Sequence, residues 1–182
     1  PDTGTTTFQY DAAGNLTKKT DAKGQVFTYS YDALNRLTAI DGPGTVSDVS
    51  YVYDTCPNGQ GRLCRVTRSE TSLDYSYSAF GEIAQVDQAV VTWAGFQTAA
   101  GSVSYLYDAA GRVSGIRYPS GAQVDYTLNA SGNITAVQLQ HEGITTQLLQ
   151  NGNYRPFGDL VSGMFGNGQQ YYEWYDQAYR PA

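Results

Sequence analysis

The phrase YDAAGNL, from Tyr10 to Leu16, returns as YDALNRL from Tyr31 and as YDAAGRV from Tyr107. Each copy of a recurring phrase has to adopt the same local structure and stack on its neighbours, which narrows the architectures open to the chain. Aligned on the turn residue, the copies centre on Gly14, Asn35, Gly61, Gly81, Gly111, Gly132 and Gly158. Two residues further on stand Leu16, Leu37, Leu63, Ile83, Val113, Ile134 and Leu160, all aliphatic. The aromatic slot holds Tyr10, Tyr31, Tyr53, Tyr77, Tyr107, then Leu128 as a substitute, then Tyr154 and Tyr175. The gaps between them are 21, 22, 24, 30, 21, 26 and 21 residues, so the period is near 21 with insertions.

The phrase is written in turn chemistry. Asp11, Asp32, Asp54 and Asp108 can accept a hydrogen bond from the backbone two residues on and open a type I turn. The following glycine supplies the positive φ that closes a bulged hairpin, and Asn35 can replace it because Asn tolerates the left-handed region. Asp21-Ala-Lys-Gly24 and Asp41-Gly-Pro-Gly44 have the same spacing, so turns are expected about every ten residues. Between turns the chain alternates. In VFTYSY, Phe27, Tyr29 and Tyr31 share one strand face while Val26, Thr28 and Ser30 share the other. A lone hairpin is marginal in water, so neighbours must stack to cover the aromatic face. The fold class expected is all-β, an array of antiparallel hairpins over residues 1–182. Leu16, Leu37 and Ile134 are expected at core positions, where truncation to Ala would cost about 2 to 5 kcal/mol.

Composition agrees. Tyr (16) and Gly (20) are abundant and charged residues make up 15%, a strand-and-turn mixture. Net charge is −6 with no basic cluster, which argues against a nucleic-acid partner, and no apolar run reaches membrane-span length.

The repeated Y-D-x-x-G-R-[LV], preceded by a tyrosine-rich strand, resembles the YD repeats of the RHS family, from about Tyr10 to Tyr175. Weaker copies are YSAFGEI, LNASGNI and YRPFGDL, in which the aspartate is replaced. The resemblance implies a curved, open sheet that in bacterial RHS toxins, insecticidal toxin complexes and teneurins wraps into a hollow shell. It further implies a non-catalytic role as shell wall enclosing or displaying a C-terminal effector, in a secreted or surface-exposed bacterial protein. No self-cleaving core motif or effector follows Tyr175, so the chain is expected to be a segment of a longer protein. Its expected partners are the rest of that protein and its effector, with edge-to-edge self-association open to it. The competing reading is a surface adhesion module for glycans or a protein.

Cys56 and Cys64 flank an enlarged hairpin loop, YDTCPNGQGRLC, and are expected to form a disulfide rather than free thiols or half a zinc site. A disulfide would imply an oxidising compartment. His141, the single histidine, has no catalytic companion at known spacing and is expected to be an exposed residue beside a Glu-Gly turn. The regularly spaced aspartates fit turn capping better than calcium binding or glycoside hydrolysis. No cofactor, metal or catalytic residue is therefore expected. The stretch after Gln85 accounts for the longest gap and reads as an enlarged hairpin or protruding loop. Trp93, Phe96 and Trp174 are the candidates for exposed binding aromatics, and the three sequons read as coincidences of turn composition.

Overall fold

A computed structural model describes residues 4–44, 47–91, 97–156, 158–178 and 180. The chain divides into two compact units, Pro1–Gly101 and Ser102–Ala182. The first contains β1 (Thr7–Tyr10), β2 (Leu16–Thr20), β3 (Val26–Tyr31), β4 (Leu37–Asp41), β5 (Val49–Tyr53), β6 (Leu63–Arg68), β7 (Thr71–Tyr77) and β8 (Ile83–Val91). Strand β9 (Gln97–Tyr107) begins in the first unit and ends in the second. The second unit continues with β10 (Val113–Arg117), β11 (Gln123–Leu128), β12 (Ile134–His141), β13 (Ile144–Tyr154), β14 (Leu160–Phe165) and β15 (Gln170–Tyr172). The chain is all-β, and its strands follow chain order in an open, antiparallel arrangement.

Each phrase makes one bulged hairpin. Tyr10 faces Leu16, whereas Gln9 faces Lys18, so Thr17 is the extra residue. Tyr31 with Leu37 and Tyr53 with Leu63 repeat this register shift, as do Tyr77 with Ile83 and Leu128 with Ile134. The bulge returns the tyrosine and the aliphatic residue to the same face, and it increases the local twist of the strand pair. The 30-residue gap is taken up largely by strand, since β8 and β9 are nine and eleven residues long.

Register and alternation give each unit two unlike faces. In the first, Tyr29, Tyr31, Ile40, Tyr51, Tyr53, Val66, Leu73 and Tyr75 lie on one face, and Thr28, Ser30, Ser50, Arg65, Thr67 and Asp74 on the other. In the second, Tyr105, Ile116, Val124, Tyr126, Val137 and Leu149 oppose a polar face of Arg117, Gln123, Asp125, Gln138, Gln140 and Gln147. Side-chain amides link that polar face across strands. Gln123 and Gln140 donate to the two oxygens of Asp125 at 2.6 and 2.8 Å, and Gln138 donates to Gln147 at 3.0 Å.

The expected core differs from what forms. Cys64 is the one buried hydrophobic residue among those described, at 3% exposure. Leu16, Leu37, Leu63, Ile134 and Leu160 are half-buried, and Ile83 and Val113 are exposed at 37% and 38%. No second layer covers the aromatic face of either unit among the described residues, so its side chains are shielded only by neighbours on the same face. The Asp41–Gly44 turn also departs from expectation. Asp41 ends β4 opposite Thr28, and it is Asp48 Oδ1 that accepts the Gly42 amide, at 3.0 Å.

Candidate functional site

With Cys64 the one buried hydrophobic residue among those described, the fold's role rests on what joins one repeat to the next. The junction begins at the turn. Asp11 Oδ1 accepts the Ala13 and Asn15 amides at 2.9 and 2.8 Å, while the Gly14 amide donates to the Asp11 carbonyl at 3.1 Å. The same bonds recur at Asp32 (from Leu34 and Arg36), Asp108 (from Ala110 and Arg112) and Asp176 (from Ala178 and Arg180). Gly14 and Gly111 have φ of 86° and 75°, and Asn35 holds the same region at 59°. Where the aspartate is replaced, Ser78 and Asn129 supply the oxygen, and the Gly81 and Gly132 turns still close. Gly158 closes on the Arg155 carbonyl without a side-chain acceptor in that slot.

Among the described residues, five of the tyrosines tie their hairpin to the one before it. Tyr31 Oη donates to the Leu16 carbonyl (3.0 Å), Tyr53 to Leu37 (2.9 Å) and Tyr77 to Leu63 (2.7 Å). Tyr154 donates to Ile134 (2.7 Å) and Tyr175 to Leu160 (3.2 Å). The acceptor is always the aliphatic residue of the preceding phrase, which explains why the two slots recur together. Burial pushes the Tyr53 and Tyr77 hydroxyls above the ordinary phenol value.

The residue after the turn glycine makes a second tie. Arg36 Nε pairs with its own Asp32 at 2.7 Å, and its terminal nitrogens grip Asp54 of the next repeat at 2.6 and 3.1 Å. Its guanidinium also lies 4.4 Å from the centroid of the Tyr53 ring. Asp54 and Asp32 are held below the ordinary carboxylate range, the first chiefly by Arg36 and the second chiefly by the Arg36 backbone amide. Arg36 is raised in turn, by Asp54 first and Asp32 second. Elsewhere Asn15 donates to Asn35 at 2.8 Å and Arg112 to the Asn129 carbonyl at 3.1 Å. Arg155, in the aspartate slot, lies 5.3 Å from the Tyr175 ring. Turn capping accounts for the aspartates but not for these ties. The signal that could have revealed them was the R of Y-D-x-x-G-R-[LV], which turn chemistry alone does not require.

The third turn is enlarged, and Cys56 and Cys64 are disulfide-bonded across it with Cα atoms 5.4 Å apart. Asp54, at φ 70°, closes the loop through its amide to the Arg62 carbonyl, and its Oδ1 accepts the Gly61 amide at 2.7 Å. Gly59 packs under the bond so closely that a Cβ there would lie 2.2 and 2.5 Å from the two sulfurs. A cup of about 450 Å³ opens against the disulfide, with Arg65, Asp74, Gln85 and Asp87 on its wall. Arg65 pairs with Asp74, so the cup is a polar depression between strands. His141 is half-buried at the end of β12, not exposed, because the tight Glu142–Gly143 turn folds Ile144 opposite it. Trp174 is 76% exposed. Trp93 and Phe96 lie outside the described residues. No group of three or more metal-ligating side chains occurs among the described residues.

Comparison with known proteins places this geometry. The model of the RHS Repeat family matches residues 1–26, 10–47 and 107–139. No curated protein sequence matches the chain. Solved structures similar to it include that of TcdB2-TccC3 (TM-score 0.86, 15% identity) and that of TcdB2-TccC3-Cdc42 (TM-score 0.83, 16% identity). A third is the Tc holotoxin pore of Photorhabdus luminescens (TM-score 0.83, 16% identity). Each match covers 99% of this chain and 10% of the other, so the chain spans about one-tenth of the length of the structures it resembles.

Proposed function

The chain is an RHS/YD-repeat segment, and from that premise we propose that it is a stretch of wall: one continuous, non-catalytic array over residues 1–182 that helps to enclose or display an effector carried by the same longer polypeptide. The observation that carries this reading is the tie between repeats. The hydroxyls of Tyr31, Tyr53, Tyr77, Tyr154 and Tyr175 each satisfy a carbonyl of the preceding hairpin, so the array extends by addition of like units and needs no closing core. The toxin-complex structures matched across 99% of the chain support it as analogy of fold. The disulfide supports an extracytoplasmic location, and the partners proposed are the remainder of the parent protein and its effector.

Protease protection tests the proposal. In the parent polypeptide produced from its own reading frame, the region after the repeats should resist protease while the array is folded and be digested once urea has opened it. Equal digestion in both states would overturn enclosure. A second reading, adhesion through exposed aromatics, draws on the exposure of Tyr172 and Trp174. It requires that Trp174→Ala abolish a measurable affinity for a glycan or surface protein while leaving the far-ultraviolet spectrum unchanged.

A further inference from the structure

We propose that the Cys56–Cys64 bond is a latch, open to a thiol reductant, that fastens the third repeat to the fourth. At the preceding junction Arg36 reaches an aspartate of the next turn, Asp54. At this one the equivalent turn residue is Ser78, and among the described residues Arg62 forms no ion pair, lying beside Gly81 and 5.3 Å from the centroid of the Tyr77 ring. The enlarged loop supplies what is missing. The Tyr77 amide donates to the Pro57 carbonyl at 3.2 Å, and Asn58 Nδ2 donates to the Tyr77 carbonyl at 2.8 Å. Both backbone groups of the fourth tyrosine are thus satisfied by a loop whose geometry depends on covalent closure. Hydrogen bonds from Asp54, Gly59, Gly61 and Arg62 also close the loop, but the covalent bond removes the chain entropy that an open loop would have to give up to present Pro57 and Asn58 together.

The bond can also be reached. Cys56 is half-buried, and both cysteines border the cup on the polar face. A dithiol such as dithiothreitol attacks Cys56 Sγ as thiolate, forming a mixed disulfide and releasing Cys64 as thiolate. The second thiol of the reagent then displaces Cys56, so the reagent leaves as a cyclic disulfide. Two electrons pass to the cystine and two protons end on Cys56 and Cys64.

The test is amide exchange on the oxidised chain before and after native-state treatment with dithiothreitol, followed by reoxidation. The Tyr77, Gly59 and Arg62 amides, whose acceptors lie on the loop, are expected to lose protection by about tenfold or more and to regain it on reoxidation. The Arg36 amide, bound within the second turn, is expected not to change. Unchanged protection at Tyr77, loss spread evenly over the chain, or a bond reduced only after denaturation would each overturn the latch. Reduction in place avoids dependence on a variant that fails to fold. The Cys56→Ser, Cys64→Ser double variant should reproduce the local pattern, and native protection at Tyr77 in it would equally overturn the proposal. The outcome does not depend on whether the array encloses an effector.

Discussion

Tyr53 presents a hydroxyl to the Leu37 carbonyl and a ring face to Arg36, so two ties between repeats pass through one side chain. Tyr53→Phe keeps the ring and removes the donor. The variant should lose about 1 kcal/mol in urea unfolding, the usual net worth of such a bond plus part of the cost of an unpaired carbonyl. Tyr10→Phe is the control: Tyr10 is 62% exposed and its hydroxyl has no acceptor among the described residues, so its stability should match wild type. An equal loss in both variants would mean that the hydroxyls act through solvation and not through the tie. The aspartates set the pH response. Asp11, Asp32, Asp54 and Asp108 all lie below the ordinary carboxylate value of 3.8 in the folded chain, through Asn15, the Arg36 amide, Arg36 and Arg112 respectively. A group depressed on folding contributes stability above its unfolded pKa and loses it as pH falls through the folded one. The unfolding midpoint should therefore hold near neutrality and decline below about pH 4, and Asp54→Asn should flatten that decline.

At the scale of the hairpin, the structure changes what truncation should cost. Leu37 is expected in a core, but it is half-buried on a face that no second layer covers among the described residues. The cost of Leu37→Ala should then fall to about 1 to 2 kcal/mol, because the removed methyl groups were only partly out of water and no closed cavity is left behind. A loss of 4 kcal/mol or more in urea unfolding would mean that something buries Leu37 in solution. Hairpin, turn type, bulge and the two strand faces were all legible in the sequence, since each follows from residues within a few positions: Asp at the first slot, Gly or Asn at the fourth, alternation between. The partners of Tyr53 and Arg36 were not. They lie 16 and 18 residues away, and no local propensity records such a distance. The Asp41–Gly44 turn departs from the motif for a related reason: its spacing matches, but the carboxylate that accepts the Gly42 amide comes from Asp48, outside the four-residue phrase.

At the scale of the whole chain, linear connectivity governs how the molecule unfolds. Strands pair with their chain neighbours, and the ties described above span one junction each. A globular domain of this length would melt as one unit with a calorimetric enthalpy of roughly 130 kcal/mol near 60 °C, equal to its van't Hoff value. An array coupled only between neighbours, with a single buried hydrophobic side chain among the described residues, has no shared core to enforce that equality. Differential scanning calorimetry should therefore give a van't Hoff enthalpy well below the calorimetric one. Tyr53→Phe should broaden the transition further by weakening one junction while leaving the others intact. Equality of the two enthalpies would contradict nearest-neighbour coupling and would require a contact, within the chain or between copies, that covers the aromatic face.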